Sequence, residues 1–580
     1  MIRPAVANKK FANKNNKRIR SMAIRNSALT RRAPHALTLA AALVAGFPSA
    51  QAFEIQTGNP DLSLRWDNTL KYSAAWRLQD PSSTLSEGQV ALNQDDGDRA
   101  FDKGLISNRL DILSELDMSY RDFGARVSAA GWFDTVYQDD NDNDDPARAN
   151  ARSVAYDQFT DDTRHLHGGD AEILDAFVYW NGALADKATS VRLGRHGLIW
   201  GESLFFGANG IAGGMAPVDV VKAVSVPNTQ FKEITRPVNQ LSGTFQLTDD
   251  LSLGAFYQFE WEETRLPAAG SYFSVSDTIG EGNERLIVGA PFPPFLGGNP
   301  NSPAAFFHGN DKEAKSSGQG GLQLRYTADT TEYGLYAIQY HDKSPKLYLK
   351  PNATGPNFAT GQVGEYYWVY PEEIRALGAS FATTVDEFSF AGEASLRWNM
   401  PLVSNGQTVL PGVAADNDDD PLYAVGRTAH VNLNMLASLG PSFISNEASL
   451  VGEIAWNRLL SVTRNRAALD PGATDDGLGM KLVYTPTYRQ VFPGIDLSVP
   501  VGISYFPLGK SAVVSSFGPD GGGDFNIGVS ATYLDRVTFG LTYTHYYGAE
   551  DTNLNSATRF NFKQSLKDRD YLAFSVKTTF

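Results

Sequence analysis

The chain has 580 residues, of which 42% are hydrophobic, with no cysteine and a formal net charge of −15 at pH 7. The absence of cysteine excludes disulfides, thiolate metal sites and cysteine nucleophiles. Residues 1–52 contain ten of the 50 basic residues and no acidic one, so the rest carries 40 basic and 65 acidic residues, a net charge of −25. Such an acidic body excludes nucleic acid as a partner, because phosphate contacts need positive patches.

The segment 1–52 is predicted to be a signal peptide. Basic residues precede the apolar run 36–47, and an A-x-A cleavage site ends at Ala52. The run is too short to span a membrane as a helix, which needs about 20 apolar residues. We expect cleavage after Ala52. The long basic stretch before Met22 leaves open whether translation starts there or at Met1.

Residues 53–580 alternate apolar and polar side chains over long segments, for example 62–77, 105–121 and 388–399. Successive side chains of a strand point to opposite faces, so each segment has one apolar and one charged face. Many segments are long enough to cross a bilayer at a tilt, and the last one ends at Phe580, like the carboxy-terminal strands of bacterial outer-membrane barrels. This predicts one all-β domain, a transmembrane antiparallel β-barrel in the outer membrane of a Gram-negative bacterium.

We count eighteen such segments, and short connections alternate with long ones. Short periplasmic turns and long extracellular loops are typical of bacterial barrels, whose strand number is even. The pair 171–181 and 189–199 alternates weakly, so a barrel of sixteen strands remains the alternative.

The polar faces of these strands predict a charged lumen. The charges could orient a solute and set selectivity, or they could pair across strands and stiffen the wall. The candidates are Arg65, Asp67, Lys71, Arg109, Asp111, Glu115, Arg121, Arg325, Glu393, Arg397 and Glu453.

Residues 198–217 are apolar, rich in glycine and too irregular for a spanning strand. This segment could fold into the lumen as a plug or an apolar gate, or it could pack under another loop. Glycines at 207, 210, 213 and 214 would let it bend. The candidate gate residues are Leu204, Phe205, Phe206, Ile211 and Met215.

Two further loop features are ambiguous. Aromatic residues at 291–295 and 306–308 could catch an apolar ligand or form a lid stiffened by proline. Acidic tracts at 95–98, 139–145 and 416–420 could bind calcium, because clustered carboxylates suit hard cations, but they match no EF-hand loop. Their composition favours solvated loop tips near divalent ions among lipopolysaccharides. We find no HExxH, GxSxG or phosphate-binding loop, so we predict no catalytic, cofactor or metal site and no enzyme.

The segment 53–72 and the residues from Arg192 to Phe205 resemble a proteobacterial outer-membrane family of unknown function, DUF1302. The resemblance covers nearly all of the mature chain and implies an outer-membrane barrel. Members of that family often accompany exporters of the resistance-nodulation-division type and catabolic genes for hydrophobic compounds. The resemblance brings no catalytic residues.

We therefore expect a channel or transporter for a hydrophobic or amphipathic solute, able to work with an inner-membrane exporter of the resistance-nodulation-division type. The alternatives are a general polar porin, an accessory barrel that binds lipid or a periplasmic partner, and a barrel enzyme that acts on lipids. The other expected partners are outer-membrane lipid, lipopolysaccharide and the barrel assembly machinery.

Overall fold

A computed structural model describes residues 53–55, 57–226, 230–556 and 558–580. The predicted signal peptide, 1–52, lies outside the described residues.

Eighteen antiparallel strands form the wall of a closed barrel, each paired with the next along the chain and the last paired with the first. The short strand Phe53–Ile55 adds to the edge of the first one. The wall strands are β1 Leu62–Arg77, β2 Gly104–Tyr120, β3 Phe123–Asp134, β4 Gly169–Leu184, β5 Lys187–His196, β6 Val238–Gln246, β7 Leu251–Gln258, β8 Gln319–Ala328, β9 Thr331–Tyr340, β10 Ile374–Val385, β11 Phe388–Pro401, β12 Val425–Leu439, β13 Glu447–Arg464, β14 Asp476–Phe492, β15 (in two parts, Ile495–Ser498 and Val501–Leu508), β16 Gly523–Tyr533, β17 Val537–Tyr547 and β18 Tyr571–Thr579.

The outer surface of this wall is apolar and the inner surface is polar. On β11, Leu396 is 46% exposed whereas its neighbour Arg397 is 3% exposed, as the predicted alternation requires. Only a membrane barrel has this arrangement, because its outer face contacts lipid while its inner face lines a lumen. The outward apolar residues include Ile112, Val127, Ile173, Leu193, Leu322, Leu335, Leu377, Leu433, Ile454, Ile503, Val529 and Leu541.

Tight turns join the strands at the end where both termini lie. In the turn between β4 and β5, Ala185 and Asp186 both have positive φ, as a two-residue hairpin turn requires. This hairpin, the weakest in the sequence pattern, pairs with β3 and β6 as part of the wall. The barrel therefore has eighteen strands, and the alternative of sixteen is wrong.

The long loops at the other end carry small elements of their own. Five short strands form a second sheet outside the wall: Arg285–Gly289, Ala304–His308, Lys346–Pro351, Gln362–Val369 and Gln407–Thr408. The helical turns are Ser83–Ser86, Gly88–Ala91, Asp96–Arg99, Val136–Gln138, Asp161–Thr163, Arg164–Gly168, Ile211–Gly214, Val220–Ser225, Phe231–Ile234, Pro294–Leu296 and Arg466–Ala468. Within the described residues, no helix has the length and apolarity needed to cross a membrane.

The aromatic residues predicted in the loops separate into two groups. Phe306 and Phe307 belong to the outer sheet, and Phe292 packs against Phe358 with ring centroids 5.0 Å apart. Phe295, by contrast, is 85% exposed at the loop surface.

The composition of the acidic tract 95–98 predicted a solvated loop tip, and this prediction is wrong. Asp98 is buried and forms ion pairs of 2.9 Å with both Arg77 and Arg569. Burial raises the pKa of Asp98, but the two guanidinium groups outweigh that effect and lower it overall. Since Arg77 ends β1 and Arg569 precedes β18, this network fixes the long-loop end of the seam where the barrel closes.

Candidate functional site

Residues 200–215, which we call the luminal segment, leave the wall after β5 and fold along its inner face. Trp200 packs edge-to-face on Phe256 of β7, with ring centroids 4.9 Å apart. The backbone N–H of Trp200 donates to Sδ of Met215 at 3.0 Å, so the two ends of the segment meet. The segment also contacts inward side chains of β9 to β15 and residues of neighbouring loops, among them Phe231 and Phe517.

Two glutamates of the wall hold the backbone of the luminal segment. Glu393 on β11 accepts the N–H groups of Glu202 at 2.7 Å and of Ile211 at 2.9 Å. Oε2 of Glu453 on β13 accepts three consecutive N–H groups, those of residues 204–206. Hydrogen bonds to a charged acceptor are about twice as strong as neutral ones, so the Glu453 carboxylate, with three N–H groups on one oxygen, is a strong anchor.

Glycine permits this close approach. A Cβ added at Gly201, where φ is +90°, would lie 2.1 Å from Oε2 of Glu393, and one at Gly210 would lie 2.2 Å from Oε1. The predicted role of the other glycines in bending is not what the structure shows. Gly207, Gly213 and Gly214 do not have a left-handed φ. Each of them instead lies so close to a neighbouring atom that a Cβ would collide with it.

Arg397 and Asn209 complete the attachment. Arg397 donates from Nη2 to the carbonyl oxygens of Asn209 at 2.6 Å and Gly210 at 2.7 Å. The side chain of Asn209 donates to Oδ1 of Asn432 at 2.8 Å and accepts from Nδ2 of Asn457 at 3.1 Å. The luminal segment is thus bonded to β11, β12 and β13 through both its backbone and a side chain.

The five predicted gate residues occupy different environments. Ile211 is 4% exposed and Met215 is 1% exposed, in a cluster with aromatic residues of the wall, so neither offers contact surface to a solute. Phe206 is partly buried against Phe506 and Phe517. Leu204 and Phe205 remain half-buried, and only they and part of Phe206 can face a solute.

A cavity of about 300 Å³ adjoins this surface. Glu202 and Leu204 line it on one side, and Thr330, in the turn between β8 and β9, lines it on the other. It therefore lies between the luminal segment and the tight-turn end of the barrel. Nearby, Nζ of Lys481 lies 5.4 Å from the ring centre of Phe205, close enough for a cation–π contact.

The other predicted luminal charges are mostly paired along the wall: Arg65 with Asp67, Arg109 with Asp111, Glu115 with Arg126 and Arg325 with Glu332. Lys71 lies opposite Asp111 and Lys577 in the strand register. Arg121 is not on a strand; it lies in the turn after β2 with a φ of 51° and pairs with Asp61 at 2.9 Å.

Sequence reasoning missed the neutral polar anchors: Asn209, His430, Asn432, Asn434 and Asn457. A signal was present in β12, where polar residues occupy every second position from Thr428 to Asn434. The prediction of luminal residues considered only charged side chains, so it did not include these neutral ones.

No curated protein sequence matches the chain. Among solved structures, OccAB4 of Acinetobacter baumannii is 10% identical over 91% of this chain and 99% of its own, with a TM-score of 0.41. OpdK of Pseudomonas aeruginosa is 12% identical over 89% and 98%, with a TM-score of 0.38. Salmonella typhi OmpF, in complex with daunomycin, is 10% identical over 91% and 100%, with a TM-score of 0.34. These values are too low to bear on function.

The family described as "Protein of unknown function (DUF1302)" matches residues 33–580. The predicted resemblance is confirmed, and the chain belongs to the DUF1302 family.

Proposed function

We propose that the protein is a channel of the Gram-negative outer membrane for a hydrophobic or amphipathic solute. The observation that carries the proposal is the luminal segment, which leaves Leu204 and Phe205 half-buried inside an otherwise polar barrel, with Leu204 lining a cavity. A barrel of this strand number is wide enough for an aqueous lumen, which the segment narrows.

The apolar surface gives such a solute a favourable site. Each Å² of apolar surface removed from water contributes about 25 cal/mol, so even a partial contact with two side chains retains an apolar molecule. The attachment by Glu393 and Glu453 keeps this surface in place, which lowers the entropy lost on binding.

The apolar outer belt and the unequal lengths of turns and loops support the outer-membrane location. The backbone of Phe580 exchanges two hydrogen bonds with that of Asn68, which supports a role for the last residue in closing the barrel during assembly by the barrel machinery. The same proposal includes lipopolysaccharide as the lipid partner and an exporter of the resistance-nodulation-division type as the inner-membrane partner.

A general polar porin is the second candidate. It is favoured by the density of polar side chains along β1 to β3, such as Arg65, Asp67 and Glu115, which keep that part of the wall hydrophilic.

Planar-bilayer recordings and liposome uptake with refolded mature protein test the proposal. We expect discrete conductance, and uptake of an apolar solute that falls several-fold in Leu204→Ser/Phe205→Ser while potassium chloride conductance is retained. Phe295→Ser, at an exposed aromatic of an outer loop, is the matched control and should change neither.

Equal uptake by both variants would favour the polar porin. Silence in the bilayer would overturn the channel. Lipid turnover by the silent protein would point to an enzyme, and its absence to an accessory barrel.

A further inference from the structure

Three extracellular loops meet at a small buried cavity. Asp95 and Asp96 come from the loop after β1, Asn150 from the loop after β3, and Asp277 from the loop after β7. One carboxylate oxygen from each of the three aspartates lies within 4.8 Å of the others. The cavity is about 30 Å³, and Asp96, Asn150 and Asp277 line it.

Asn150 supplies an oxygen with no partner. Its Nδ2 donates to Oδ1 of Asn93 at 2.8 Å and to the carbonyl oxygen of Arg285 at 2.9 Å, which fixes the orientation of the amide. Oδ1 therefore points the opposite way, and it makes no hydrogen bond within the described part of the chain. Because Asn150 is only 1% exposed, bulk water does not compensate, and an unpaired buried oxygen is costly.

The aspartates are held in place, and some of their oxygens are left without a partner. Asp277 accepts the backbone N–H groups of Asp95 at 2.9 Å and Asp96 at 3.2 Å, and Asp96 accepts that of Asn150 at 2.9 Å. Arg148 pairs with Oδ2 of Asp95 at 2.6 Å. Oδ1 of Asp95 and Oδ1 of Asp96 are buried and lack a partner among the described residues.

We propose that Asp95, Asp96, Asn150 and Asp277 bind one calcium ion that links the three loops. Carboxylate and amide oxygens on irregular loops suit calcium, which accepts six to eight oxygen ligands in flexible geometry. Magnesium fits less well, because it demands a stricter octahedron and retains its waters. The site lies apart from the luminal segment, so this proposal does not depend on what the channel passes.

Equilibrium dialysis with calcium alone tests the site. The protein is the mature chain, refolded in detergent without lipopolysaccharide, which itself binds calcium, and treated with EDTA. We expect about one ion per chain with a Kd on the order of 0.1–1 mM, the range of extracellular modules. Asp277→Asn and Asp96→Asn should each weaken binding at least tenfold. Asp419→Asn, at an exposed aspartate of another acidic tract, is the matched control and should bind like the parent.

Heat-modifiable electrophoretic mobility checks that each variant folds. If neither does, limited proteolysis of the unmodified protein decides instead: calcium should slow cleavage in the loop after β3 several-fold, and magnesium should not. Absence of bound calcium, equal binding by the variants and the control, or cleavage that ignores calcium would each overturn the proposal.

Discussion

Glu453→Gln should release part of the luminal segment. In the native protein Oε2 of Glu453 accepts three backbone N–H groups while Oε1 accepts the amide of Asn432 at 2.7 Å. A glutamine has only one accepting oxygen, so in either orientation of its amide the NH₂ group faces an N–H donor. Replacing charge-assisted bonds of about 1.5–3 kcal/mol by neutral bonds of about 0.5–1.5 kcal/mol removes roughly 1 kcal/mol for each of the three backbone bonds. A total of about 3 kcal/mol raises the population of detached states roughly a hundredfold.

Single-channel recording measures this release directly. We expect more frequent transitions to larger conductance levels in Glu453→Gln than in the parent protein. Glu447→Gln, on the same strand but with an exposed side chain paired to Arg489, is the control and should behave like the parent. If Glu453→Gln folds normally and its conductance and noise are unchanged, the segment does not depend on this carboxylate, and the reasoning fails.

Four further substitutions test the wall and its closure. Leu396→Arg places a charge in lipid, at a cost of roughly 2–4 kcal/mol near the midplane, whereas Arg397→Leu should loosen the luminal segment and leave the wall intact. Urea unfolding in vesicles measures the stability of both variants, and equal losses of stability would mean that the register is off by one. Phe580→Ala should reduce the yield of heat-modifiable, folded protein, and a normal yield would remove the case for a terminal assembly signal. Asp98→Asn leaves Arg569 buried without its charge partner and should cost about 3–5 kcal/mol by thermal unfolding; a loss below about 1 kcal/mol would show that the network is dispensable.

The wall could be predicted from the sequence because its information is local. Each strand repeats every two residues, so neighbours such as Leu396 and Arg397 reveal opposite faces without knowledge of the rest of the chain. The weak hairpin around Ala185 was ambiguous because its alternation is blurred, and only pairing with strands on both sides decides it.

The attachment of the luminal segment could not be predicted in the same way. Its composition marked it as unusual, but the partners of Glu393 and Glu453 lie roughly 180 to 250 residues away in the chain. The acidic tract at 95–98 misled for the same reason: a carboxylate looks solvated until Asp277 or Arg569, from distant loops, is known to lie beside it.

The distribution of partners in the lumen bears on which solute the channel favours. Glu393, Arg397 and Glu453 form hydrogen bonds within the protein itself, so these side chains are not available to a passing ion. Arg65 and Arg325 each pair with a carboxylate, which weakens the electrostatic potential that they produce in the lumen. Charge selection in a porin relies on rows of side chains of one sign facing the permeating ion. A lumen whose charges are largely paired selects more by shape and apolar contact, and this is the physical reason for preferring an apolar solute to a small ion.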